Sequence, residues 1–167
     1  MVEDVVIITV ILISLYTDIK YRKIYNVVLL PAFFLALLFS VSVQGFDGLV
    51  FSLKGSLLGL ALLLVPFMLG GMGAGDVKLL AVIGAWQGAQ FVWFCFLCTA
   101  LIGGIIAGVQ LTRSGRLYST LKMIIFAFIP GMPKVNTFGT LATAKAGEAF
   151  PYGVAIAAGT LATYVLR

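Results

Sequence analysis

Six apolar stretches alternate with short connectors rich in charge or glycine along this chain. They run roughly over residues 4–17, 26–43, 49–69, 77–86, 91–111 and 150–166. A helix that crosses a bilayer needs about 20 mostly apolar residues, fewer if its ends snorkel. The pattern therefore predicts an all-α fold, a polytopic membrane bundle of about six transmembrane helices. The fourth stretch is short. It fits only if it starts at Asp76, stays buried among the others and runs on past Trp86. The expected connectors are 18–25, 44–48, 70–75, 87–90 and the long 112–149. In the last of these, Leu117, Leu121, Ile124, Ile125 and Phe128 recur at helical spacing beside Arg116, Ser119 and Lys122. This is the pattern of a cytoplasmic interfacial helix ended by the Pro130-Gly131 turn; a re-entrant element is the alternative. Small residues four apart, Gly55/Gly59, Gly84/Gly88 and Gly104/Gly108, suit close helix packing.

Composition supports lipid as the solvent. The chain is 62% hydrophobic and 10% charged, with mean hydropathy +1.15. A soluble domain of this length could not cover that much apolar surface. No long polar block divides it, so residues 1–167 read as a single membrane-embedded domain. The start, MVEDVVIITVILISLY, carries acids where a secretory signal would carry Lys or Arg, and reads as a retained first helix. If six helices alternate, nine of the eleven Lys and Arg fall on one side. The acids Glu3, Asp4 and Asp47 fall on the other. The positive-inside rule then puts the first, third and fifth loops in the cytoplasm and both termini outside, in a multi-pass cell (inner) membrane protein. The net charge of +5 is mostly this topology signal. Nucleic-acid binding would need a basic soluble face with aromatic platforms, which is missing.

Candidate chemistry is narrow. Histidine is absent, which removes Ser-His and Cys-His triads, HExxH zinc sites and His-based relays. Cys95 and Cys98 form a CxxC inside an apolar run and read as buried thiols, so no metal and no cofactor is expected. Two acids remain. Asp18 ends the first apolar stretch and Asp76 opens the fourth, behind Gly70, Gly71, Gly73 and Gly75. The charge-derived topology puts both at the same membrane face, where carboxylates are expensive. A carboxylate pair sharing one proton can hold a water, take its proton and polarise a peptide carbonyl. Gly73 and Gly75 would let a substrate backbone come close, and Lys78 lies beside the site. On the residues alone a plainer reading stays open: Asp76 as a helix N-cap, Asp18 as a boundary charge, Lys78 as a snorkelling topology lysine, Asn26 as a cap and Glu148 as a surface acid. Within the pair, helix-end dipoles favour charge on Asp76 and disfavour it on Asp18, which makes Asp76 the base and Asp18 the acid.

Asp18, Ile24-Tyr25-Asn26, Gly73-Ala74-Gly75-Asp76-Val77-Lys78-Leu79-Leu80, the following Ala81-Val82-Ile83-Gly84-Ala85-Trp86-Gln87-Gly88 and Pro151-Tyr152-Gly153 resemble the type IV prepilin peptidases, membrane aspartic proteases of the GxGD class. The resemblance implies catalytic Asp18 and Asp76. It implies removal of a short basic leader, after a glycine, from prepilin-like membrane proteins at the cytoplasmic face. Many members have Ile-Pro-Asn where this chain has Ile24-Tyr25-Asn26. The long bacterial members carry an N-terminal insert with two cysteine pairs and also methylate the new N-terminus. This chain resembles the short, peptidase-only kind of the Flp or tight-adherence pili, or an archaeal-type relative, so methyl transfer is not expected. Two other readings compete. A presenilin-like intramembrane GxGD protease would place its aspartates mid-helix and add a Pro-Ala-Leu motif, which is missing here. A non-enzymatic transporter or pilus-assembly scaffold would place acids near the bilayer midplane.

Overall fold

The computed structural model describes residues 2–68, 72–113 and 152–166. Among them every element is helical: α1, Val2–Tyr21; α2, Asn26–Met68; α3, Ala74–Arg113; and α4, Tyr152–Leu166. The expected interfacial helix at 117–130 and Glu148 lie outside the described residues.

Helix α1 carries Glu3 and Asp4 in its first turn and Lys20 in its last, each complementing the helix dipole. It runs further than the apolar stretch alone, so Asp18 sits inside its final turn. That turn is closed by Arg22, left-handed at φ 52°, whose N–H donates to the Asp18 carbonyl at 2.8 Å. This is the single bond of a left-handed helix cap. At the start of α2, the Tyr25 carbonyl accepts from the N–H groups of Val28 and Leu29. The side chain of Asn26 is thereby left for another partner.

Helices α2 and α3 are each a folded pair of arms. In α2 the break is Gly45, at φ 60° and ψ −135°. Ser40 and Ser52 would lie about 18 Å apart along a straight helix, yet their Oγ atoms meet at 2.7 Å. The chain therefore reverses at Gly45. Ser52 donates onward to the Ala85 carbonyl at 2.7 Å, so Ser40 is the donor to Ser52. In α3 the break is Gly88, at φ 82° and ψ 175°. The residues on either side pack together: a β-carbon on Gly84 would run into Val92. The expected connectors 44–48 and 87–90 thus shrink to a single glycine in each case. Only a residue without Cβ takes these torsions at no steric cost, so one position suffices for the turn. Six helical arms result among the described residues.

The second arm of α2 and the first arm of α3 pack with almost no side chain between them. A β-carbon on Gly55 would collide with the Gly84 carbonyl, and one on Gly84 with the Gly55 carbonyl; one turn along, Gly59 faces the Leu80 carbonyl. Around this contact lie Leu79, Leu80, Ile83, Val92 and Ile156, all fully buried. Trp86 is buried too, its indole N–H donating to the Ala32 carbonyl at 3.0 Å and its ring against Phe39. Helix α4 runs antiparallel to both α1 and the second arm of α3, through Asp18–Gly153, Asp4–Tyr164 and Cys95–Thr160. The Cys95 thiol is fully buried and donates to Thr160 Oγ1. A β-carbon on Gly104 or Gly108 would meet nothing within 4 Å among the described residues, whereas one on Gly103 would touch Ala155.

The exterior is apolar. Leu12, Val27, Phe34, Leu38, Leu64, Leu101, Ile105, Leu161 and Val165 are all exposed. Both α2 and α3 are long and apolar enough to cross a membrane.

Candidate active site

The antiparallel packing brings the C-terminal end of α1, the start of α3 and the start of α4 to one end of the bundle. Asp18 and Gly153 meet there, with Asp76 within electrostatic reach of Asp18. The sequence-derived topology expects this shared face for the two aspartates, and it puts Asp4 at the opposite end.

Asp76 is the third residue of α3 rather than its cap. Gly73 precedes the helix, its carbonyl accepting from Asp76 N–H at 3.2 Å, and the Asp76 Oδ2 reaches back to Gly73 N–H at 3.2 Å. This is the reciprocal pattern of a capping box, with the aspartate in the position of the box acid. A cap serving a free N–H of the helix would need its carboxylate one turn earlier. The other oxygen, Oδ1, is buried with no partner among the described residues. The residue as a whole is 7% exposed.

Asp18, also 7% exposed, comes from the last turn of α1. Its Oδ2 accepts the buried backbone N–H of Gly153, in the first turn of α4, at 2.9 Å. Any side chain at 153 would overlap this carboxyl group. Asp18 and Asp76 lie within electrostatic reach of each other, and the half-buried Tyr152 lies within reach of Asp76. One turn up α1 from Asp18, the Ser14 hydroxyl is buried and without a partner among the described residues. Unbonded buried oxygens are where an incoming polar group has most to gain.

The neighbouring glycines divide their work. Gly75 turns its bare face to Ile24, where a β-carbon would be too close, so it joins the α1–α2 turn to the start of α3. Gly73 is exposed, and a β-carbon there would lie close to the Asp76 carboxylate. Gly70 and Gly71 lie outside the described residues. Lys78 is exposed, and its ammonium donates to Asn26 Oδ1 at 3.0 Å. It thus ties α3 to the start of α2.

Two features carry no sequence signal. The first is the Gly153 amide: Pro151-Tyr152-Gly153 is visible as a motif, but its contact with Asp18 spans 135 positions. The second lies at the far end of the bundle. Gln87 donates to Asp4 at 3.0 Å and to Tyr164 at 2.9 Å, and Tyr164 donates to Asp4 at 3.1 Å. Beside it a cavity of about 500 Å³ is lined by Phe51, Gln87, Phe91 and Thr163 among others; neither Asp18 nor Asp76 lines it. Among the described residues no cluster of His, Cys, Asp or Glu is arranged to hold a metal ion.

The sequence model of the type IV leader peptidase family matches residues 5–108, which include Asp18, Gly73, Gly75, Asp76 and Lys78. A curated relative, the prepilin leader peptidase/N-methyltransferase of Xanthomonas campestris pv. campestris, is 31% identical over 110 residues. The match takes in 59% of this chain and 37% of the relative, so the chain spans well under half of that protein's length. No solved structure matches the chain.

Proposed function

Because the chain belongs to the type IV leader peptidase family, we propose that it is a multi-pass membrane aspartic endopeptidase that removes the short basic leader of prepilin-like proteins. Its active site faces the cytoplasm, and its six helical arms belong to one membrane-embedded peptidase domain. The observation that supports this reading is that Asp18 and Asp76, from two different helices, lie within electrostatic reach of each other. One member of such a pair is ionised and takes a proton from water; the other is protonated and polarises the scissile carbonyl. The reaction needs no metal and no cofactor.

A site at the end of the bundle suits a bond at the junction between a basic leader and an apolar helix. The leader stays in water and the helix stays in lipid. Exposed Gly73 offers backbone without a side chain beside Asp76, which suits an extended substrate strand. A glycine before the cut would match that close approach. Lys78 keeps the loop in register through Asn26. Methyl transfer is not part of the proposal.

The test is cleavage by the protein reconstituted in lipid vesicles. The substrate is a single-span peptide with a basic leader, a glycine and an apolar helix. Mass spectrometry should find one cut after the glycine, and none when that glycine is replaced by a bulky residue. An uncut glycine substrate would overturn the proposal. Cuts within the apolar helix would favour the presenilin-like mode.

A further inference from the structure

We propose that the backbone amide of Gly153 decides which member of the pair is ionised: it holds Asp18 as the carboxylate, so that Asp76 carries the shared proton. This rests on the peptidase reading and deepens it.

The ends of α1 and α3 alone would favour the opposite assignment, but α4 also begins at this site. The Gly153 N–H is buried, points at Asp18 Oδ2 from 2.9 Å, and belongs to the first turn of a 15-residue helix. A bond from an N–H to a carboxylate is roughly twice as strong as its neutral counterpart, and a helix N-terminus adds favourable partial charge. Both effects favour the ionised form of Asp18. The corresponding bond to Asp76, from Gly73, is longer at 3.2 Å. The other Asp76 oxygen is buried without a partner among the described residues. A negative charge is poorly served there, whereas a carboxyl proton can sit on that oxygen and be passed to a substrate carbonyl.

The remaining neighbours do not reverse this. Among the described residues the charged or titratable groups at this end of the bundle are Asp76 and Lys78 of α3, Tyr152 of α4, Tyr16, Lys20 and Tyr21 of α1, and Arg22, Lys23 and Tyr25 of the α1–α2 turn; α2 brings Asn26, which does not titrate. Lys20, Arg22, Lys23 and Lys78 are exposed, with the Lys20 ammonium at the Tyr16 hydroxyl and that of Lys78 on Asn26. Water screens them.

The roles then follow. Ionised Asp18 takes a proton from water as the water oxygen bonds to the peptide carbon. The Asp76 proton moves to the carbonyl oxygen, leaving a neutral gem-diol. When the C–N bond breaks, the Asp18 proton goes to the leaving nitrogen and a gem-diol proton returns to Asp76. The pair ends as it began. Gly153 acts through Asp18 and is a positioning residue. Its missing side chain is what allows the amide so close.

The chain has four aspartates, Asp4, Asp18, Asp47 and Asp76. Full-length protein with carboxyl-labelled aspartate in lipid nanodiscs should give four carbon signals, assigned by single Asn variants. In otherwise wild-type protein at neutral pH, the Asp18 signal should be that of a carboxylate and the Asp76 signal that of a protonated acid. Replacing the Gly153 residue by glycolate, through ligation of a synthetic C-terminal segment, exchanges the N–H for an oxygen and adds no atom that could clash. This should move the acid limb of the pH–rate profile upward by about one to two pH units, the effect of one hydrogen bond to a charged group. Gly153→Ala, which keeps the N–H but pushes the carboxylate away, should shift it the same way. A protonated Asp18 beside an ionised Asp76 would overturn the inference, as would an unmoved acid limb in the folded ester variant. In either case cleavage by the wild type and its loss in both Asn variants would leave the peptidase reading standing. Failure of the wild type to cut would instead sink that reading.

Discussion

Gly84→Ala should destabilise the bundle, although helices favour alanine. The added β-carbon meets the backbone carbonyl of Gly55 and the Val92 side chain. A backbone group cannot rotate away, so the two arms must separate. Overpacking of this kind costs about 1–3 kcal/mol. Separation also stretches the Ser52–Ala85 bond one turn away, and an interhelical bond in a membrane protein contributes roughly 0.6 kcal/mol. Relief of glycine's backbone entropy offsets about 0.5–1 kcal/mol. The net expectation is a loss of about 2 kcal/mol, close to a thirtyfold change in the folded-to-unfolded ratio. Gly104→Ala is the control, because nothing lies within 4 Å of its added carbon among the described residues. It should stay within about 1 kcal/mol of wild type. Unfolding by sodium dodecyl sulfate in mixed micelles, followed by tryptophan fluorescence, measures both. Trp86 lies within two residues of the contact and reports it directly. The Gly55→Ala/Gly84→Ala double variant should lose less than the sum of the singles, since the arms have already parted. Gly84→Ala as stable as wild type, or Gly104→Ala equally damaged, would refute the backbone-contact account.

The bond between Lys78 and Asn26 should act as one unit. Lys78→Met and Asn26→Ala should each slow leader cleavage about two- to tenfold, the effect of one partly exposed hydrogen bond, and the double variant should be no slower than the worse single; multiplied losses in a cleavage assay would show that the two act separately. In a background of Cys95→Ala and Cys98→Ala, cysteines at positions 22 and 47 should be labelled from opposite sides of the membrane, the first from the cytoplasm. Labelling of both from one side would break the topology.

The segmentation of the fold was legible because lipid leaves few choices: backbone in a bilayer must be helical, and each connector must carry what the bilayer rejects. Lys20, Arg22 and Lys23 mark one such connector, and Asp47 marks another. The hairpin at Gly45 was less legible, since a single residue of positive φ turns the chain where composition suggested a loop of several. Asp18 and Asp76 stood out as rare acids at the ends of apolar stretches, and their shared end followed from charge counting. The work of Gly75 did not, because its contact with Ile24 depends on how the α1–α2 turn folds over α3. Nor did the Gly153 amide, which has no side chain to betray it. Asp4, Gln87 and Tyr164 form no motif; three helices make them neighbours only once packed. Gly104 and Gly108 have the spacing of a packing pair, yet a β-carbon on either would meet nothing within 4 Å among the described residues, so spacing alone does not name a neighbour.

The measurement that bears most directly on the central claim is leader cleavage by Asp18→Asn and Asp76→Asn, reconstituted in lipid beside the wild type. Asparagine keeps the shape of each side chain and can neither gain nor lose the shared proton. Both variants should fold as the wild type does in the detergent titration. Both should lose cleavage by at least about a hundredfold, the usual contribution of one positioned acid or base. Wild-type cleavage by either folded variant would contradict the account.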